Sequence, residues 1–234
     1  MKKTPFVWLG ANRARKWPVG AKARLLDKAA SAGLPVPMGA ILMDELFQLF
    51  LEEGVVEMQG MAVTCPDPDW LFESLYDGVR FPRFDKPAAL RAAFSTLDED
   101  QKGVKSAARL HVDLNDPNEL AGALCRVWSV SPDPEVAFRR DMLVLEMVKG
   151  ESEGTAVTST VIPTDPIAIQ NDSLEIPQLT GFFPRIDDKL PPHLQRLQKL
   201  LRGVRRTFGP GSWQVNWLDD GEICWVMGCR GDGV

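Results

Sequence analysis

The chain has 234 residues, 44% of them hydrophobic, enough to bury a core as one large domain or two packed subdomains without metals or disulfides. Its formal net charge of -5 and pI near 5.2 exclude a broad nucleic-acid footprint, which needs clustered Lys and Arg on a basic domain. Four cysteines, Cys65, Cys125, Cys224 and Cys229, form neither a disulfide framework nor the paired spacing of a zinc site, and are expected to be reduced thiols, mostly buried.

Lys2 and Lys3 precede an apolar run, Phe6 to Leu9, too short for a signal-peptide core or a membrane span, so a cytoplasmic location is expected. Ala21 to Ala32 has the apolar spacing of a helix, with Ala23, Leu26 and Ala30 on one face, Gly33 at its exit and Pro35 and Pro37 preventing continuation. A strand at Ala40 to Met43 leads to a helix from an N-cap at Asp44 to Glu53, with Leu46, Phe47 and Phe50 inward and Gly54 as the stop. Val55 to Val63 reads as extended, and Trp70, Leu71, Leu75 and Tyr76 as a short helix. Pro87 to Leu97 reads as a helix whose acidic end, Asp98 to Asp100, is solvated.

Gly103 to Val112 is strand-like, and Asn118 to Trp128 is a helix with Leu120, Leu124 and Val127 on its core side; a short helix follows Pro132 and Pro134. A subdomain boundary is expected near Asp113 to Pro117, dividing 1–112 from 113–234. Met142 to Val148 and Gly154 to Ile162 are β-branched apolar runs that suggest one antiparallel pair, and Ile167 to Ile169 with Leu174 to Ile176 a second hairpin. Pro191 to Phe208 is the clearest helix, and its basic face, Arg196, Lys199, Arg202, Arg205 and Arg206, is expected to be solvated.

The chain ends on a strand pair, Trp213 to Leu218 and Ile223 to Arg230, joined by a short loop in which Gly221 takes the left-handed conformation. Trp213, Val215 and Trp217 are expected to share one face with Ile223, Trp225 and Met227. The other face then carries Gln214, Asn216, Gly228 and Arg230, one cation and two amides with no carboxylate. A ligand would sit on that face.

The run Val19 to Pro37, VGAKARLLDKAASAGLPVP, resembles the N-terminal signature of the phosphoenolpyruvate synthase and pyruvate phosphate dikinase family, whose ATP-grasp domain opens with a glycine-lysine turn. Val104 to Ala108 (VKSAA), Leu143 to Thr158 (LVLEMVKGESEGTAVT) and the Gln214 to Arg230 hairpin recur in the family's order. The resemblance implies an α+β, ATP-grasp-like fold with two subdomains around a cleft. Carried over by position, it makes Lys22 a contact of nucleotide phosphate and puts Lys105 where the family usually has a phosphate-gripping arginine. Leu145 replaces a common glutamine, and Glu146, Met147 and Val148 would form the adenine-side hinge. Gln214 and Asn216 stand where members carry acidic residues, and Gly228 replaces a glutamine two residues before the retained Arg230.

Those replacements remove the metal-facing groups. Mg²⁺ is a hard cation held by carboxylates and substrate phosphates, and neutral amides supply no anionic field. The family's glycine-rich loop after the VKSAA-like strand and its phosphohistidine domain have no counterpart in the sequence, and His111 and His193 lie outside that domain's motif. The resemblance therefore implies a degenerate ATP-grasp domain, non-catalytic or weakly catalytic, that binds ATP weakly, does not rely on Mg²⁺, and acts as a nucleotide-responsive or protein-interaction module. Two alternatives stand beside it. One is an active phosphotransferase on a small carboxylate or a partner protein, with metal ligands drawn from Glu146, Glu151 or Glu153. The other is a protein-binding module without nucleotide function that uses the basic face of the long helix.

Overall fold

Alternation of apolar residues builds two five-stranded antiparallel sheets, and each packs against helices. The computed structural model describes residues 6–79, 81–96, 107–130, 138–170, 172–182 and 185–231. Packing divides the chain into two units: Met1–Leu9, Arg13–Ala23 and Met38–Met147 make the first, and Gly10–Asn12, Arg24–Pro37 and Val148–Val234 the second. The architecture is α+β. The chain passes from the first unit to the second at Met147, while the expected boundary near Asp113 to Pro117 falls inside the first.

In chain order the elements up to Met147 are β1 (Phe6–Trp8), α1 (Ala21–Ser31), β2 (Gly39–Leu42), α2 (Asp44–Glu52), β3 (Glu57–Gln59), β4 (Ala62–Thr64), α3 (Pro68–Glu73), β5 (Ala88–Ala92), β6 (Ser95–Thr96), β7 (Ala108–Val112), α4 (Pro117–Trp128), β8 (Phe138–Arg139) and β9 (Met142–Glu146). Membership of α1 changes from one unit to the other after Ala23. The first unit's main sheet has the order β1-β2-β9-β5-β7, with every neighbour antiparallel. One face of it, through Leu42, Leu90, Met142 and Val144, forms a single core with Leu46, Phe47 and Phe50 of α2, Leu71 of α3, and Leu120, Leu124, Val127 and Trp128 of α4. Asp67 and Asp116 cap α3 and α4 by accepting backbone N–H bonds, each ahead of a proline whose missing N–H costs nothing at a helix start.

Three expectations in this unit are corrected. Pro87 to Leu97 is not a helix: Ala88–Ala92 is a strand held between β9 and β7. Its alanines favour a helix locally, but ladder bonds on both sides and burial of side chains on both faces override that weak preference. Met142 to Val148 does not pair with Gly154 to Ile162, because β9 pairs with β2 and β5 in the first unit. Asp44 is the first helical residue rather than the cap, which is Met43. Val55 to Val63 contains the small hairpin β3–β4, turned at Gly60, whose φ is 65°. The readings on Asp98 to Asp100, Lys105 and the segment after Pro132 fall on 97–106 and 131–137, outside the described residues.

The second unit contains β10 (Ser152–Ser159), β11 (Thr164–Ile169), β12 (Asp172–Pro177), α5 (Pro192–Phe208), β13 (Ser212–Asp219) and β14 (Cys224–Gly231). Its sheet runs β12-β11-β10-β13-β14, again antiparallel throughout, and the expected β11–β12 hairpin pairs Ile167 with Leu174. One face packs on α5 through Leu197, Leu201 and Val204, and Phe208 stacks on Trp213 at 4.8 Å between ring centroids. The β13–β14 loop is Asp220 to Ile223, with Gly221 at φ 92° as its left-handed residue and Asp220 accepting from the amides of Glu222 and Ile223.

The faces of that hairpin are partly corrected. A bulge follows the Asn216–Gly228 pair, so Trp217 lies opposite Val226 and Leu218 opposite Trp225. The extra residue on β14 shifts its alternation by one. Val226 and Cys229, not Trp225 and Met227, therefore share the face of Val215 and Trp217. Trp225 stands on the other face with its indole N–H donating to Asp220 at 2.7 Å.

Burial pushes the thiols of Cys125, Cys224 and Cys229 up to about 12. Cys65 is also raised by burial but is partly exposed, with its Sγ donating to the Asp67 carbonyl. Thiolate is the reacting species and access limits the reagent, so thiol exchange is expected to titrate Cys65 ahead of the three buried thiols in the native protein, and all four cysteines in denaturant. Fast native reaction beyond a single equivalent would contradict this.

Candidate functional site

The glycine-lysine turn ahead of α1 is built by contacts to two distant strands. Gly20 donates its N–H to Asp141 Oδ2 at 3.3 Å, and Asp141's own carbonyl accepts from Ala93 N–H at 2.9 Å. A Cβ at Gly20 would lie 2.8 Å from the Ala93 carbonyl oxygen, so the close approach requires glycine. Two residues on, Lys22 Nζ donates to the carbonyl of Ala92, the last residue of β5, at 3.2 Å. Burial lowers the Lys22 pKa, and the nearby Arg91 guanidinium lowers it further. Arg91 lies on β5 opposite Leu143, on the face turned away from the core of this unit. Two cations thus gather where β5 ends.

The expected hinge lies at the other end of the same strand pair. Glu146 is opposite Ala88, while Met142 is opposite Ala92, four strand steps or about 13 Å away. Glu146 N–H donates to Met38 and Met147 N–H to Pro87, and the Glu146 carboxylate pairs with Lys86 at 3.1 Å. Leu145 is fully buried in β9. Met147 is the last residue of the first unit and Val148 the first of the second.

In the second unit, Gln214 is opposite Arg230 and Asn216 opposite Gly228. The Arg230 Nε–H donates to Gln214 Oε1 at 2.8 Å. This face continues across the sheet, since Val157 lies opposite Gln214, Thr155 opposite Asn216 and Ala168, and Pro166 opposite Glu175. An open groove of about 520 Å³ lines part of it, bounded by Thr155, Val157, Pro166, Ala168, Ser173 and Glu175. Its polar groups are hydroxyls and one carboxylate, which accepts from Thr164 at 3.0 Å. A Cβ at Gly228 would meet only Asn216 Nδ2 at 3.5 Å, so packing within this unit does not demand glycine there.

This donor set does not fit Mg²⁺. The Gln214 carbonyl oxygen is occupied by Arg230, Asn216 offers a neutral amide, Gly228 offers no side chain, and a guanidinium repels a cation. Among the described residues no three His, Cys, Asp or Glu side chains come together as a metal site. The arrangement suits an anion, to which Arg230 and the two amide groups can donate.

The expectation of a solvated basic face on α5 is partly corrected: Lys199 and Arg206 are exposed, but the other three cations are engaged within the unit. Arg196 makes a two-point bond to Asp219 at 2.8 and 2.6 Å, and Arg202 donates to the carbonyls of Gly181 and Phe182. Arg205 reaches the buried Asp165 at 2.9 Å and also bonds Thr158 and the Leu179 carbonyl. Each acidic or carbonyl partner comes from a different segment of the unit, so periodicity within the helix carries no sign of it. Sequence reasoning also missed Arg91 and Asp141. Reading 88–92 as a strand would have put Arg91 with Ala89 on the face opposite Leu90, and Asp141 is an isolated acid at the head of the apolar β9 run.

No family model matches the chain, and no curated protein matches it. Solved structures do. D-alanine--D-alanine ligase from Bacillus anthracis, complexed with ATP, is similar over 88% of this chain and 53% of its own, at 12% identity and a TM-score of 0.44. A RimK domain ATP-grasp protein from Sphaerobacter thermophilus is similar over 88% of this chain and 57% of its own, at 14% identity and 0.42. N5-carboxyaminoimidazole synthase from Aspergillus clavatus, in complex with ADP and 5-aminoimidazole ribonucleotide, is similar over 88% and 42%, at 12% identity and 0.42. The chain spans about half the length of the first two of these structures. Among the described residues no helix is long and apolar enough to cross a membrane.

Proposed function

We propose that this chain is a degenerate ATP-grasp-like domain, related to phosphoenolpyruvate synthase and pyruvate phosphate dikinase, that responds to an adenine nucleotide without efficient phosphoryl transfer. The observation that carries the reading is the set Gln214, Asn216, Gly228 and Arg230 on one face of the hairpin, which keeps a cation and has no acid among its four members; on the same sheet face Glu153 stands on the next strand, opposite Leu218. Phosphoryl transfer depends on positioning and on neutralising charge at the transferred group, mostly through metal ions. A hairpin that offers a cation and neutral amides in place of metal-binding carboxylates favours binding over turnover. In the first unit, Lys22 with Arg91 at one end of the β5–β9 pair and Glu146 with Met147 at the other are separated by roughly the reach of an extended nucleoside triphosphate. That separation supports Lys22 as a phosphate contact and 146–148 as the base-side segment. Lys105 is proposed as a further phosphate contact on the family resemblance alone.

The engagement of Arg196, Arg202 and Arg205 inside the second unit weighs against a protein-docking role for the basic face of α5. Calorimetric titration with ATP tests the main reading. The expected Kd is weak, about 1 mM or near 4 kcal/mol, with little change when Mg²⁺ is added and weaker binding still for Lys22→Ala. Tight binding that depends strongly on Mg²⁺, or steady ATP turnover above the Lys22→Ala level, would overturn it.

A further inference from the structure

The proposed reading gives Lys22 a role without saying what holds it in place. Asp141 is fully buried at the head of β9, and it is the point where four segments of the first unit meet. Its Oδ2 accepts from Gly20 N–H at 3.3 Å, its Oδ1 from Asp44 N–H at 3.0 Å, and Arg139 donates to both oxygens at 3.3 and 3.1 Å. Its backbone carbonyl takes Ala93 N–H, next to the Ala92 carbonyl that receives Lys22 Nζ. Arg139 is held in turn by a two-point bond to Glu45, and Asp44 accepts from Arg140 N–H at 2.8 Å.

We propose that Asp141 is the positioning residue of the Gly20–Lys22 turn: a buried carboxylate that fixes the turn against the end of β5 and so sets where the Lys22 amine stands. The inference rests on the reading of Lys22 as a phosphate contact for its purpose, but not for its geometry. A carboxylate that accepts several N–H bonds at once can do this because both oxygens are acceptors. An amide has only one acceptor atom, and its NH₂ group would oppose Gly20 N–H or Arg139. Burial raises the carboxyl's pKa, offset by Arg139 and by the amides of Asp44 and Gly20. The charged groups facing it are Arg139 directly and Glu45 and Asp44 around it.

The test compares wild type with Asp141→Asn, using the pH profile of Lys22 acetylation followed by peptide mass spectrometry, with the exposed Lys86 and Lys199 as references in the same digest. In wild type the Lys22 profile is expected at lower pH than the references, because the turn holds the amine in a partly buried place beside Arg91. In Asp141→Asn it moves back toward them, and ATP affinity falls by about threefold or more. Gly20→Ala, whose Cβ would press on the Ala93 carbonyl, is expected to move the Lys22 profile in the same direction with Asp141 intact, and serves if Asp141→Asn does not fold. A wild-type profile that matches the references, or one that the folded variants leave unmoved, overturns the proposal. If the Lys22 profile moves while ATP affinity does not, Asp141 retains its positioning role and the nucleotide reading of Lys22 fails.

Discussion

Arg205→Ala is expected to destabilise the second unit by about 3–5 kcal/mol, because it leaves a buried carboxylate without its cation. Asp165 is fully buried on the α5 side of the sheet, and the Arg205 side chain is only 10% exposed. Thr158 at 2.7 Å and Gln178 at 2.6 Å also donate to Asp165, but both to Oδ1, so the variant takes from Oδ2 the bond it accepts from Arg205, and neither neutral group supplies charge. The penalty therefore combines uncompensated ionisation with the hydrogen bond lost at Oδ2. Replacing both partners by leucine is expected to recover most of the loss, since an apolar pair carries no desolvation cost. Urea unfolding of the single and double variants measures both. A single-variant loss under about 1 kcal/mol, the size seen for solvated surface pairs, would mean that water reaches the site and that Asp165 is not buried as described.

Trp128→Ala is expected to cost the first unit about 3–5 kcal/mol, the usual range for removing a large aromatic from a packed core. Trp128 is 1% exposed at the end of α4 and meets Phe47 of α2 with ring centroids 5.3 Å apart. Its carbonyl also accepts from Arg140, whose guanidinium lies over the Phe47 ring at 4.8 Å. The side chain therefore fills the junction of α2 and α4 above the sheet, where no neighbour can collapse fully into the space. Trp128→Phe keeps much of the volume, and its cost is expected to be about 1.5 kcal/mol or less. Thermal unfolding of the two variants decides the matter: equal losses for phenylalanine and alanine would show that the ring's volume is not what the junction needs.

Local patterns made several elements legible. The apolar repeat from Leu194 to Phe208, with Gly209 as its stop, marks α5, and the structure ends that helix at Phe208 with Gly209 at φ 83°. Asn171 and Asp172 between two β-branched runs mark the β11–β12 hairpin. What failed was partner choice. Alanine-rich 88–92 reads as helix because nothing in its own residues announces two flanking strands. Met142 to Val148 and Gly154 to Ile162 lie close in sequence, yet β9 and β10 belong to different sheets. In the site, the order Gln214, Asn216, Gly228 and Arg230 was legible from period-two alternation. Asp141 and Arg91 were not, because their importance comes from Gly20 and Lys22, far away in the chain.

By itself the sequence determined the class of elements, the α+β composition, the turn glycines, and the lack of an acid among Gln214, Asn216, Gly228 and Arg230. These follow from spacing and side-chain chemistry, which a linear chain displays in full. Tertiary structure alone decided which strands share a sheet, that one bulged residue places Val226 and Cys229 beside Val215 and Trp217, and that Arg196 and Arg205 of α5 face buried acids instead of water. The reason is physical: register and charge pairing depend on groups distant in sequence, and burial, which gives a single carboxylate such as Asp165 or Asp141 its weight, exists only once the chain has packed.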